Sequence, residues 1–212
     1  DASKFPIRPL LNRLFELSLS MYKDALQSLK DKDSLLAASV IQRENEVNKI
    51  YFLVGRQIAS STFDKPFLKK IELKGTPDLA LYTVIFPRVK SVADYAADIA
   101  NNLLALGKKD ISEVNLQKII RLGSMVSELF SNSCEAFFKG DVILANKVVE
   151  SFKPFDKMKN ELLIDLGTKT KDARLAMHLM TIIRDLRGIA YYGSYIAELT
   201  IQNSTAEKIN LP

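Results

Sequence analysis

Apolar residues recur along this chain at steps of three and four, the period of one face of an α-helix. Leu10, Leu11, Leu14, Leu17, Met21, Ala25 and Leu29 trace the first such face. The polar run Lys30 to Asp33 interrupts it, and the Asp33 carboxylate suits the orphan N–H groups of a new first turn. Leu36, Val40, Val47, Ile50, Val54 and Ile58 predict a second helix. Residues 60–75, with Pro66 and Gly75, read as a loop. Thr76 then reads as a cap with Pro77 at the first helical position, where the missing N–H does no harm. This third helix extends toward Leu106, with Pro87 expected to kink it near Thr83 and Gly107 to stop it.

The second half follows the same plan. A fourth helix is predicted from about Ser112 to Phe138, a turn at Gly140, and Asp141 as the next cap. The fifth helix runs to about Leu166, interrupted by Pro154 and ended by Gly167. The sixth spans Thr168 to Gln202, with a frayed tail over Asn203–Pro212.

The halves align in order. Asp24-Ala25-Leu26 matches Glu135-Ala136-Phe137, the stretch from Asp33 to Val40 matches Asp141 to Val148, and Val92 to Ala100 matches Ile189 to Ala197. The length changes between these matches fall in turns, the mark of a duplicated supersecondary unit. No stretch alternates convincingly with the period of a strand. The expected fold is therefore all-α: two tandem, pseudo-symmetric three-helix bundles built from six long helices, residues 1–107 and 108–212.

Composition supports this and excludes other classes. Of 212 residues only 8 are Gly and 7 Pro, few breakers for a chain this long, while 47% apolar and 26% charged residues are values of a globular domain. No apolar run reaches the 18 residues a membrane span needs, and no signal peptide is expected. The net charge of +5 divides as 15 basic against 12 acidic residues before Gly107 and 15 against 13 from there on. An even spread of that kind lacks the single basic face of a nucleic-acid module, so direct nucleic-acid binding is not expected. The first residue is Asp1 rather than Met, as in a processed chain or a piece of a longer protein.

Catalytic candidates are sparse. Cys134 is the only cysteine and reads as a buried thiol with no histidine beside it; the absence of an intrachain disulfide fits a reducing cytosol. His178 is the only histidine and lacks metal-ligand or acid–base partners at helical spacing. Neither Gly-x-x-x-x-Gly-Lys-Ser/Thr nor Gly-x-Gly-x-x-Gly occurs, so no phosphate-cradling loop is expected. Tyr191, Tyr192 and Tyr195 offer a base-stacking platform on paper, but at this spacing Tyr191 and Tyr195 are expected to fill the bundle seam.

The third helix of each repeat resembles a known pattern. Ile189-Ala190-Tyr191-Tyr192-Gly193-Ser194-Tyr195-Ile196-Ala197-Glu198 and Val92-Ala93-Asp94-Tyr95-Ala96-Ala97-Asp98-Ile99-Ala100 are similar to the hydrophobic-small-Asp-aromatic stretch of the PhoU family of phosphate-uptake regulators. Arg43 to Ile50 resembles that family's acidic stretch on the second helix, and the duplicated three-helix plan matches over about residues 8–203. The resemblance implies a cytoplasmic regulator of phosphate homeostasis. It would act through protein partners: a phosphate transporter ATPase, a sensor kinase, or a fused AbrB-like DNA-binding domain ahead of Asp1. It implies no enzymatic activity and leaves a homo-oligomer open.

The family also implies Glu/Asp-x-x-x-Asp pairs on the second and third helices of each bundle. Residues i and i+4 share a helix face, so two facing helices can offer four carboxylates to metal ions. Here the matching positions are Glu44, Asn48, Lys90 and Asp94 in the first bundle, then Phe152, Asp156, Arg187 and Tyr191 in the second. Three of these eight are carboxylates, and a cation opens each third-helix pair. No cofactor is expected beyond at most a divalent or iron-type cation at Glu44, Asn48 and Asp94 of the first bundle. The expected function is PhoU-like regulation of phosphate uptake by protein–protein interaction. The alternatives are a metal-binding helical bundle and a nucleic-acid-binding helical module.

Overall fold

The computed structural model describes residues 6–107 and 111–209, with side chains placed through Ser204. Among these residues the secondary structure is eight helices and no strand. Helix α1 is Ile7–Asp31, α2 Ser34–Gln42, α3 Glu44–Phe63, α4 Lys65–Lys70, α5 Thr76–Leu106, α6 Glu113–Lys139, α7 Val142–Lys169 and α8 Ala173–Ile209.

The apolar stripe of α1 is buried as the period predicts: Leu11, Leu14, Met21, Ala25 and Leu29 have no exposed surface. Lys32 ends α1 in the left-handed conformation, and Asp33 caps α2 by accepting from the N–H groups of Leu35 and Leu36 at 2.9 and 3.0 Å. The second repeat uses the same device. Gly140 is left-handed at the end of α6, and the Asp141 carboxylate accepts from the Leu144 N–H at 2.9 Å. A lysine in that conformation is strained where a glycine is not.

The all-α expectation holds, with the six long helices divided more finely. The predicted second helix is divided at Arg43 into α2 and α3, and there the Arg43 side chain lies on α1, meeting Asp24 at 2.5 Å and the Ser20 hydroxyl at 3.1 Å. The predicted loop after Ser60 holds the end of α3 and all of α4, with Pro66 near its start, where no donor is required. Thr76 is not a cap. It lies inside α5 behind the N-cap Gly75, and the Asp78 carboxylate reaches back to the Lys74 N–H at 3.0 Å. Helices α5 and α7 run on through Pro87 and Pro154. Gly167 does not end α7: it is a helical position against the Met180 methyl, and the helix continues to Lys169. Thr168 therefore belongs to α7, where its hydroxyl donates to the Ile164 carbonyl. Helix α8 starts later, behind Asp172, which accepts from the Leu175 N–H at 3.0 Å. The expected fraying from Asn203 is replaced by helix to Ile209, and residues 210–212 lie outside the described residues, as does the 108–110 part of the junction between the halves.

Helices α1, α2, α3 and α5 pack together, and α6, α7 and α8 do the same. The two groups meet along α5 against α8 and along α1 against α6, so one continuous apolar cluster runs through both. Phe15 of α1 stacks on Phe130 of α6 with ring centres 5.7 Å apart. These seams leave the remaining faces of α3, α5, α7 and α8 to carry the motif positions.

Candidate functional site

In the first bundle Glu44 opens α3 directly after the Arg43 break, and Asn48 follows one turn on, half-buried. Lys90 and Asp94 are one turn apart on α5, which packs against α3. The structure brings these positions together. Burial raises the Glu44 carboxyl above its ordinary range, the nearby Asp94 raises it further, and Lys90 opposes them. The Lys90 ammonium donates to Asp94 at 2.5 Å. It thereby occupies a carboxylate that a metal ion would use.

In the second bundle the corresponding positions make a different surface. Phe152 of α7 meets Tyr191 of α8 edge to face, with centres 6.5 Å apart. Tyr191 stacks on Tyr195 at 6.3 Å, and the guanidinium of Arg88, from α5 of the first bundle, lies 4.6 Å above the Tyr195 ring. Asp156 is held by Lys159 at 2.7 Å and approached by Arg187 at 3.6 Å, and the hydrogen bond from Lys159 is the main reason its carboxyl lies below the usual range. Tyr191 was expected in the seam and is instead 46% exposed. The seam is taken by Ile189, Ala190, Ile196 and Ala197, all without exposed surface, and Tyr191 falls on the other side of the helix from that stripe. Tyr192, half-buried, turns toward Tyr95 of the first bundle at 6.2 Å.

Set against the donor needs of a multinuclear metal centre, these eight positions do not fit. Hard cations need several oxygen ligands free of other partners. Here Asp94 and Asp156 are each engaged by a lysine, and the second bundle offers aromatic carbon in place of carboxylate. Among the described residues no three His, Cys, Asp or Glu side chains converge as a metal site. Glu44 with Asn48 and Asp94 is the remaining oxygen set.

Sequence reasoning missed a polar seam between the bundles. Arg184 of α8 bridges Asp98 of α5 at 3.0 Å and its own neighbour Asp185 at 2.8 Å. Asp185 has no exposed surface, and its carboxyl is pushed up to about 7, chiefly by burial and further by Asp98, with Arg184 opposing. A charged residue set inside the apolar run Ile182-Ile183-Arg184-Asp185-Leu186 was the available signal. Nearby, His178 Nδ1 lies 2.8 Å from the Asn102 side-chain oxygen. Burial, with help from Glu16 and Glu135, pushes the Cys134 thiol up to about 12, far from a nucleophilic thiolate.

Comparison with known proteins decides the ancestry. The PhoU domain model matches residues 11–103 and again residues 119–200. The chain belongs to the PhoU family. A phosphate-specific transport system accessory protein PhoU homolog of Pseudomonas aeruginosa is 26% identical over 194 residues, covering 84% of this chain and 74% of that protein. Two crystal structures share the fold. PhoU from P. aeruginosa superposes with a TM-score of 0.84 at 21% identity, over 94% of this chain and 96% of that one. The phosphate transport system regulatory protein PhoU from Streptococcus pneumoniae gives 0.82 at 18% identity, over 97% and 96%. The two matched segments of this PhoU chain fall on the two helix groups and contain all eight motif positions.

Proposed function

We propose that this PhoU-family chain regulates phosphate uptake by docking helix faces onto protein partners, on the cytoplasmic side of the membrane and without catalysing a reaction of its own. The observation that carries the reading is the PhoU domain repeated in both halves, and the named role of the P. aeruginosa relative in phosphate-specific transport supports it. The side chains with catalytic potential give no competing case. His178 is committed to Asn102, and Cys134 is held as a neutral thiol. No helix among the described residues is long and apolar enough to cross a membrane, so contact with a transporter would be made at its cytoplasmic parts.

The surface best suited to docking is the shelf of Tyr191, Tyr195 and Arg88. Tyrosine and arginine are enriched among the residues that dominate interface energies, tyrosine because it buries a large area with only two side-chain torsions to freeze, and Tyr191 is exposed while Tyr195 and Arg88 are half-buried. The Arg88 guanidinium on the shelf favours an acidic segment on the partner, and the partner we assign is the ATPase subunit of the phosphate transporter. Biolayer interferometry with that purified subunit tests this. Tyr191→Ala is expected to weaken binding at least tenfold while leaving the helical circular-dichroism spectrum unchanged. Equal binding by the variant and the parent would remove the shelf as the docking face. Failure of the parent to bind the ATPase or the cytoplasmic part of a phosphate-sensing kinase would remove the reading itself.

A further inference from the structure

A cleft lies at one end of the molecule, where both bundles contribute helix ends. It has a volume of about 360 Å³ and is lined by the start of α1, the start of α5, the end of α6 and the end of α8. Among the described residues three cations reach it, Arg8, Lys74 and Lys139, against one acid, Asp78. Lys139 shares its charge with Glu135 at 2.7 Å, which leaves Arg8 and Lys74 facing the carboxylate of Asp78, a surplus of one positive charge among the described lining residues.

Arg8 is held in place. Its guanidinium lies 5.6 Å above the Phe138 ring, and Nη2 donates to the Phe138 carbonyl. A guanidinium has five N–H donors, so this contact orients the fork and leaves donors for a ligand. The end of α6 would repel an anion if its last carbonyls were bare, but three of the last four are covered. Phe138 is capped by Arg8, Phe137 accepts from the Gly140 N–H, and Ala136 accepts from the Asp141 N–H at 2.9 Å. Asp78 is likewise partly occupied by the Lys74 backbone N–H. The rest of the lining is mixed. Tyr82 is 7% exposed and packs edge-on to Phe137 at 6.0 Å, while Thr200 and Asn203 stand across from them on α8.

We infer that this cleft is a binding site for a phosphoryl dianion, held by Arg8 and Lys74 with Lys139 at the lip. Planar guanidinium forks match phosphoryl oxygens, and lysines add compact charge. Inorganic phosphate and a small phosphate monoester share this chemistry. The volume lies at the low end of the range for organic ligands, and the walls of Tyr82, Phe137 and Leu81 suit the apolar part of an ester. The inference stands on the cleft alone and does not depend on the docking shelf of α8.

Isothermal titration calorimetry on the full chain separates the cases, using inorganic phosphate, phenyl phosphate and phenol as probes. Phenyl phosphate binding tighter than inorganic phosphate assigns an ester, and equal affinities assign the free ion. Both outcomes support the site when phenol fails to bind. Because Arg8 also caps α6, the informative variants are Lys74→Ala combined with Lys139→Ala, whose side chains are exposed, and Asp78→Asn, which keeps the acceptor for the Lys74 N–H. The double variant is expected to lose at least tenfold in affinity, and Asp78→Asn to gain severalfold. Phosphoryl binding unchanged in the double variant, phenol binding as well as phenyl phosphate, or no heat from either phosphate at millimolar concentration would each overturn the assignment.

Discussion

The phenol of Tyr22, on α1, donates a hydrogen bond of 2.6 Å to the backbone carbonyl of Gly123, on α6, 101 residues away. Tyr22 has no exposed surface, so this bond ties the two bundles together inside the shared core. Burial pushes the phenol well above its ordinary pKa, which keeps it a donor at any physiological pH. Tyr22→Phe retains the ring and deletes only the bond. It is expected to destabilise the protein by about 1 kcal/mol, read as a lower urea midpoint with an unchanged m-value. An unchanged midpoint would show that the bundles need no polar tie at this seam.

The Asp185 carboxyl gives stability a pH dependence of unusual sign. Its folded pKa is about 7, above the ordinary value of 3.8, so between these limits the folded state binds more protons than the unfolded one. Stability from this group is therefore fully present below about pH 4 and declines as pH rises toward 7 and beyond. Asp98, Arg184 and Tyr95 face the same seam, and Arg184 limits the loss. Asp185→Asn keeps an acceptor for Arg184 without the charge. The variant is expected to gain on the parent between pH 5 and pH 8, by an order of 1 kcal/mol. A stability difference between the two proteins that stays constant over that range would contradict the shift.

The metal question has a direct test. Asp94 is bound to Lys90 and Asp156 to Lys159, so treatment with a chelator is expected to leave thermal stability unchanged. Elemental analysis of protein purified without added metal is expected to find no stoichiometric multinuclear iron or zinc. Lys90→Glu frees Asp94 and adds a carboxylate facing Glu44, and it is expected to raise divalent-cation affinity in the first bundle. Two or more irons or zincs per parent chain would reverse the reading of the donor set.

Ile196 tests the seam stripe. It has no exposed surface, nor has Ile189 one helical repeat earlier. Ile196→Ala is expected to cost about 2–5 kcal/mol, measured by denaturant unfolding. A change under about 0.5 kcal/mol would mean that this stripe is not part of the core.

Period and caps carried most of this architecture in the sequence, because they are local. Asp33 and Asp141 announce their helices within four residues, and the α1 stripe needs only its own spacing. What stayed hidden depends on partners distant in sequence. Nothing near Arg43 says that the helix will divide there or that its side chain will lie on Asp24. Nothing near Tyr191 says that α8 spends its inner face on Ile189 and Ile196 and turns the tyrosine outward toward Phe152 and Tyr195. Arg88 was overlooked for the same reason, since its partner ring lies on the other bundle. The eight motif positions were legible individually, whereas the lysine neutralising Asp156 comes from outside the motif.

Two glycines show how far a local rule carries. Gly167 reads as a helix stop and Gly193 as a small residue in a motif, yet both are helical. A Cβ on Gly167 would come 3.3 Å from the Met180 methyl, the movable end of a flexible chain. A Cβ on Gly193 would come 2.6 Å from a Leu129 methyl and 3.3 Å from the Phe130 Cα, which belongs to the α6 backbone and cannot turn aside. The first bundle has Ala96 at the equivalent position, so the closer approach is particular to α6 and α8. Alanine in a helix interior gains about 1 kcal/mol over glycine. At Gly167 that gain is expected to survive, raising the melting temperature by a few degrees. At Gly193 overpacking of about 1–3 kcal/mol is expected to exceed it and lower the melting temperature. If both alanines stabilise the protein, α6 and α8 can separate by the few tenths of an ångström that a methyl needs, and the seam is looser than its contacts indicate.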